Sequence, residues 1–396
     1  MTSFRDYPLG QNIPDSPHAV TASLPTMQDV IDYEEKAPHL ANALTHGYPR
    51  FVRHFFIDKL EQYFQSTTPS LENKKLFFPA TKMAAHEMLA FIDDPQAELL
   101  EELRLFIIHI PLEANELLSQ ASNFLQHSGC SISSRKTEDI LSKLKLIEKP
   151  FDEAKSQCGD VKEKIAELAP GYTSEDIHLC NCGMNAFYAA FKTIKIIQPK
   201  SRKTWVQLGW LYLDTIKILE SFLGPDDELI QINNIFELEK LKDLFKEKGG
   251  DIAAVITEAP TNPLLQTCDI KAISKLCREY ETIFLIDPTL ATFHNIDTAP
   301  YSDITITSLT KYAANEGDVM IGAILLSRAS PFFSAFKVSL NRNITPPYVR
   351  DSDRLNLELD HFKPLIQKIN ANTCIVAEFL TTPPAVKTVY WAYSPE

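Results

Sequence analysis

The sequence predicts an α/β protein built on a mixed, mostly parallel sheet, and three observations predict it. From about residue 176, short apolar runs alternate with amphipathic stretches, the pattern of a sheet covered by helices on both faces. Glycine is scarce, at 12 of 396 residues, about half the usual share, which reads as a helix-rich chain. Polar residues of several chemical types close the apolar runs, at the carboxyl ends of strands where such sheets bind ligands.

In chain order, residues 1–60 read as an N-terminal arm, rich in Pro and Gly over its first 50 residues. Residues 61–165 read as a helical segment. FVRHFFIDKLEQYF (which begins in the arm), AELLEELRLFIIHI and ILSKLKLIEK each predict an amphipathic helix there. Residues 166–340 predict the large domain. GMNAFYAAFKTIKII is a helix opening on a glycine, TWVQLG and ELIQIN are strands, and FELEKLKDLFKEKGG is a helix with a glycine C-cap signal. DIAAVITEAP, TIFLID, ITITS and VMIGAILLS are further strands. DIKAISKLCREY places Ile270, Ile273, Leu276, Cys277 and Tyr280 on one helix face. Residues 341–396 predict a long helix and the start of a smaller domain. No repeat or low-complexity tract is present.

The totals narrow the function. Apolar residues at 44% allow a sizeable core, and a net charge of −13 argues against a nucleic-acid binder. Seven cysteines, an odd number and mostly in apolar stretches, favour free thiols in a reducing compartment. Cys180 and Cys182 form a C-x-C, but no second Cys/His pair stands at zinc spacing, so no metal site is expected. The N-terminus has no apolar run after its charge, and no stretch approaches the ~18 apolar residues of a membrane helix. A cytoplasmic protein without a membrane partner is expected.

Four strand ends bring together Asp287, Lys311 beside Ser308 and Thr310, Thr261 with Asn262, and a helix start at Gly183 and Met184. Pyridoxal-5′-phosphate (PLP) needs this set of groups. Its aldehyde needs a lysine, its protonated ring nitrogen a buried carboxylate, its phosphate backbone N–H groups and hydroxyls, and its ring an aromatic face. Lys311 follows an apolar strand, where partial desolvation favours the bond to the aldehyde, although a solvated surface lysine is an equal reading of position alone. Asp287 also reads as a turn or N-cap residue, Ser308 and Thr310 as strand-end caps, and Tyr212, the candidate ring-stacking residue, as a core tyrosine. A glycine opening a helix is common.

Order and spacing together are more specific. EAPTNPLLQTCDIKAISKLCREYETIFLIDPTLATF and SDITITSLTKYAANEGDVMIGAIL resemble the Cys/Met-metabolism PLP enzymes, which include cystathionine γ-synthase, cystathionine lyases, methionine γ-lyase and homoserine sulfhydrylases. PLGQNIPDSPHAVTASLPTMQDVIDYEE, GYPRF and WVQLGWLYLDT resemble the fungal-type cystathionine γ-synthase branch. The resemblance covers most of the chain and is weakest over 60–165.

The resemblance implies an aspartate-aminotransferase-like (fold type I) large domain. Lys311 would bond PLP and shuttle protons, Asp287 would meet the ring nitrogen, and Tyr212 would stack on the ring and act as acid or base. Gly183, Met184, Ser308 and Thr310 would hold the phosphate, and Asn262 would lie near the ring hydroxyl. Tyr48 and Arg50 match the family's Tyr-x-Arg pair, which reaches the phosphate of a neighbouring subunit, so a homodimer or homotetramer with shared sites is implied. The implied activity is condensation of an O-acylhomoserine with cysteine to cystathionine, a step of transsulfuration and methionine biosynthesis. A related lyase or sulfhydrylase, or a non-catalytic protein of this fold, are the alternatives. This sequence departs from the family at Cys182, where serine is usual, at Pro288, and in YAANEGD, which lacks a glycine–histidine pair. The family also continues beyond the stretch that here ends at Glu396, with most of the small domain and the arginine that grips the substrate carboxylate. An incomplete small domain and poor turnover are therefore expected, with Arg342 and Arg350 the nearest upstream arginines.

Overall fold

The computed structural model describes residues 7–44, 47, 48, 50–153 and 159–393, without the side chains of Ala41 and Asn42. Cys158, expected as a free thiol, and Pro49 of the Tyr-x-Arg stretch lie outside the described residues. The chain divides into two compact units, one of residues 1–156, 316–321 and 345–355, the other of residues 157–315, 322–344 and 356–396.

In the first unit the arm carries a short ladder of β1 (Asn12–Ile13) with β2 (Thr21–Ala22), then α1 (Met27–Glu34) and α2 (Pro38–Ala43). There follow α3 (Phe55–Thr67), β3 (Lys74–Phe77), α4 (Lys82–Ile92), β4 (Glu98–Glu102), β5 (Leu105–Pro111), α5 (Asn115–Ser128) and α6 (Ser134–Lys143). Phe56, Leu60 and Phe64 of α3 pack with Leu76, Leu105, Ile107 and Leu141 into one core.

The segment is not all helical. AELLEELRLFIIHI forms a hairpin, with β5 central in the antiparallel order β3–β5–β4. Its apolar spacing fits a helix, but Ile107, Ile108 and Ile110 are β-branched, which suits a pleated, half-buried surface. Glu102 pairs with Leu105, and the two residues between them, Leu103 and Arg104, have φ of 51° and 62°. Positive φ at both positions is the tight hairpin turn that Asn-Gly prefers. The double change Leu103→Asn, Arg104→Gly is therefore expected to stabilise the unit by about 1–2 kcal/mol, because each L side chain there is strained. A rise in the urea midpoint checks it; a fall would mean that the exposed Leu103 and Arg104 side chains contribute more than the strain costs.

A buried ion network also lies within this unit. Arg135, 1% exposed, donates to both oxygens of Glu153 (2.6–3.0 Å), to the Asp318 carbonyl (3.0 Å) and to Asp351 Oδ1 (3.1 Å). Arg350 donates to Glu138, Asp139 and Glu153, and Arg354 to Asp318.

The second unit contains α7 (Val161–Leu168), β6 (Ile177–Cys180), α8 (Gly183–Ile197), β7 (Thr204–Leu208), α9 (Leu213–Phe222), β8 (Glu228–Ile232) and α10 (Leu238–Lys248). It continues through β9 (Ile252–Glu258), α11 (Ile270–Glu279), β10 (Ile283–Asp287), β11 (Ile304–Ser308), β12 (Gly322–Leu326) and α12 (Phe333–Ser339). The long expected helix is α13 (Val349–Leu380). The sheet order is β6–β12–β11–β10–β9–β7–β8. Only β12 pairs antiparallel to its neighbours, so the other six strands run one way, the mixed, mostly parallel sheet that the alternation predicts. β9 and β12 are buried at every position, as expected of strands covered on both faces. Gly249 is not the left-handed cap expected after α10. Its φ is −53°, and a side chain there would meet the Tyr280 ring at 2.1 Å, so the glycine answers to space rather than to backbone sign. The six described cysteines are free thiols, and no described helix is long and apolar enough to cross a membrane.

Candidate active site

Parallel strands deliver their carboxyl ends to one edge of the sheet. After β7 the chain turns to β8 on one side and returns to β9 on the other, and this reversal opens a crevice where ligands bind in such folds. Along that edge stand the start of α8 after β6, Tyr212 after β7, Glu258 ending β9, Asp287 ending β10, and Ser308, Thr310 and Lys311 at the end of β11.

The α8 start is shaped for an anion. Cys182 is the N-cap, and its Sγ accepts from Asn185 N at 3.4 Å, so a thiol fills the role usually taken by a hydroxyl. The N–H groups of Gly183 and Met184 have no partner inside the helix. A side chain on Gly183 would lie 2.7 Å from Ser308 Cβ, and one on Gly322 would lie 2.3 Å from the Cys182 carbonyl oxygen. These glycines let the helix start close directly on β11 and β12. The Ser308 hydroxyl is buried there without a hydrogen-bond partner among the described residues, and Met184 and Thr310 are buried.

Two carboxyl groups lie beside the cradle. Asp287 Oδ1 accepts from Thr289 N at 2.8 Å, and Thr289 Oγ1 accepts from Ser308 N at 2.8 Å, which ties the ends of β10 and β11. Lys311 is exposed rather than desolvated, yet its charge acts on Asp287. Burial pushes the Asp287 carboxyl up, to about 6, against the Thr289 hydrogen bonds and the Lys311 charge. Glu258, in register with Asp287 on the neighbouring strand, is buried and is pushed up to about 8 by burial and then by the Asp287 charge. Between the ordinary glutamate value of 4.5 and about 8, the folded chain thus holds a proton that the unfolded chain releases. The cofactor-free protein is therefore expected to lose stability as pH rises through that window, by up to ~1.4 kcal/mol per pH unit from Glu258. Glu258→Gln should flatten the descent. Urea midpoints measured from about pH 5 to pH 8 check this, and parallel profiles for the two proteins would contradict it.

The remaining candidates divide. Tyr212 is half-buried at the N-cap position of α9, and its N–H donates to Glu258 Oε1. Asn262 is exposed, and its N–H donates to Glu258 Oε2 at 3.1 Å. Tyr48 and Arg50 belong to the other unit, where Arg50 Nη1 donates to the Gln126 carbonyl at 2.6 Å and its guanidinium lies 5.3 Å from the Tyr48 ring centre. Arg350 is occupied by three carboxylates and the Phe151 carbonyl and offers no fork to a substrate; Arg342 is exposed. Glu258 is a further candidate, one that the sequence analysis above does not name. It closes an all-buried strand just as Asp287 closes IFLID, and that parallel was the available signal.

These residues fit PLP. The cradle has space without side chains at Gly183 and Gly322, an unused buried hydroxyl at Ser308 and free helix-start amides, and a carboxyl group and a lysine sit together next to it.

A sequence profile of Cys/Met metabolism PLP-dependent enzymes matches residues 157–396. An L-2-amino-4-chloropent-4-enoate dechlorinase/desaturase of Streptantibioticus cattleyicolor is 29% identical over 385 residues, 96% of this chain and 76% of its own length. A cystathionine gamma-synthase of Neurospora crassa is 32% identical over 222 residues, 55% of this chain and 35% of its own. The structure of cystathionine gamma-lyase from Lactobacillus plantarum, complexed with L-serine, aligns with a TM-score of 0.49 at 21% identity, and the match spans 58% of each chain.

Proposed function

This chain belongs to the Cys/Met metabolism PLP-dependent enzyme family, and on that premise we propose that it acts on amino acids carrying a leaving group on the γ-carbon. The finer reading is γ-replacement on an O-acylhomoserine by cysteine, giving cystathionine. The Cγ–O bond breaks, the acylate departs, the cysteine sulfur bonds the γ-carbon, and the thiol proton is released, so no oxidant or reductant is needed. The dechlorinase/desaturase relative supports the coarser reading, since the chlorine on C4 of its named substrate is also a γ-substituent.

The observation that carries the proposal is the meeting of Lys311, Asp287, Ser308 and the α8 start at one sheet edge. PLP, when bound, supplies an electron sink for negative charge at the α-carbon. Lys311 holds the cofactor and moves the α-proton. Asp287 keeps the ring nitrogen protonated. Gly183 and Met184 amides and the Ser308 and Thr310 hydroxyls hold the phosphate. Tyr212 covers the ring and serves as acid or base, and Asn262 meets the ring hydroxyl. Tyr48 and Arg50 reach the phosphate of a neighbouring subunit, which makes the active form an oligomer.

The test is reconstitution with PLP followed by product analysis with O-acylhomoserines, with and without cysteine. Cystathionine formed only with cysteine supports γ-replacement. Release of the acylate without cysteine assigns a lyase, and a loaded protein that turns over neither substrate assigns a non-catalytic role.

A further inference from the structure

Glu258 is a buried carboxyl whose surroundings differ from those of an ion-pair residue. It is 7% exposed, and among the described residues no Lys or Arg pairs with it. Charges in such settings are neutralised by a partner or by a proton. Both of its oxygens are turned instead to the main chain, Oε1 accepting from Tyr212 N and Oε2 from Asn262 N. Those two residues sit on different loops, one after β7 and one after β9, on the two sides of the crevice opened by the strand reversal. In-register positions of neighbouring strands share a face, so Glu258 and Asp287 present their carboxyl groups on the same side of the sheet.

Resting on the cofactor reading above, we propose that Glu258 is the positioning residue of the ring pocket, a carboxyl that clamps the loops bearing Tyr212 and Asn262 and leaves Asp287 as the carboxylate facing the ring. Two carboxylates side by side at a desolvated edge do not both ionise readily. A proton on Glu258 resolves the conflict without breaking the clamp, because a neutral carboxyl keeps acceptor lone pairs on both oxygens. The charged group acting on Glu258 is Asp287, which in turn feels Lys311 from the end of β11. Glutamine cannot reproduce the arrangement, since its amide nitrogen would face one of the two N–H donors. Aspartate keeps two acceptor oxygens but is one methylene too short to reach both loops.

The experiment titrates PLP into the cofactor-free full chain and follows visible absorbance. Glu258→Gln is expected to bind PLP about tenfold more weakly, the loss of one clamp, while borohydride still fixes the label on the Lys311 peptide. The pH midpoint of the visible band should also move to lower pH, because glutamine cannot add negative charge as the medium turns alkaline. A purely structural role would weaken binding without moving that midpoint. Glu258→Asp should weaken binding and keep the midpoint, and it gives the answer if Glu258→Gln does not fold. Wild-type affinity and midpoint in Glu258→Gln, or wild-type affinity in Glu258→Asp, overturns the inference and leaves the cofactor reading standing. Absence of a visible band in the wild-type protein overturns that reading, and the inference with it.

Discussion

Lys311→Ala is expected to abolish the borohydride-fixed PLP adduct altogether. Lys311 stands three residues past Ser308, the last residue of β11, and follows the buried Thr310, and its charge acts on Asp287. Alanine cannot form the covalent bond to the cofactor, and the proton carrier that the proposed function assigns to Lys311 would be lost with it. General acid–base catalysis of that kind is worth roughly 10²–10⁴-fold, so α-proton exchange should fall by at least that factor even if PLP is retained through the phosphate cradle. Mass mapping of the reduced protein checks the assignment directly. A labelled peptide that lies elsewhere in the variant would show that another lysine holds the cofactor.

Arg135→Met is expected to destabilise the first unit by about 3–5 kcal/mol, the effect of removing one partner from a buried ionic cluster. Burial pushes the Asp351 carboxyl up and the Arg135 guanidinium pulls it back. Burial also works against ionised Glu153, yet the Arg135 hydrogen bonds prevail and hold it below its ordinary value. Methionine would fill much of the volume but leave Glu153, Asp318 and Asp351 without their shared cation. These carboxylates come from separate stretches of chain, so the loss should appear in global denaturation rather than in a frayed end. Denaturant unfolding measures it, and a loss below about 1 kcal/mol would show that Arg350 and Arg354 compensate.

The sequence by itself determined most strands and helices of residues 177–326, because each is a local pattern; α9 is the helix of that stretch that it did not predict. Buried parallel strands read as short continuous apolar runs, and DIKAISKLCREY repeats at the period of a helix face. It also proposes a candidate inventory for the site, since ligands collect at strand ends and Asp287 and Ser308 close strands, with Lys311 three residues on, in an order that resembles a known family. Tertiary structure alone decided the rest. AELLEELRLFIIHI carries a helix-compatible spacing, and in the folded chain it is a hairpin whose second strand also pairs with β3. Gly249 looked like a left-handed cap, but the Tyr280 ring, distant in sequence, is what excludes a side chain there. The anchoring of Arg50 on Gln126 and the saturation of Arg350 are likewise contacts between distant residues, and the exposure of Lys311 follows from how the chain around it packs. Above all, the placement of Glu258 beside Asp287 follows from strand order, which sets β9 next to β10 in register. A side chain's type is local information, but its neighbour across a parallel sheet is fixed by crossover connections, and those leave no periodic trace in the chain.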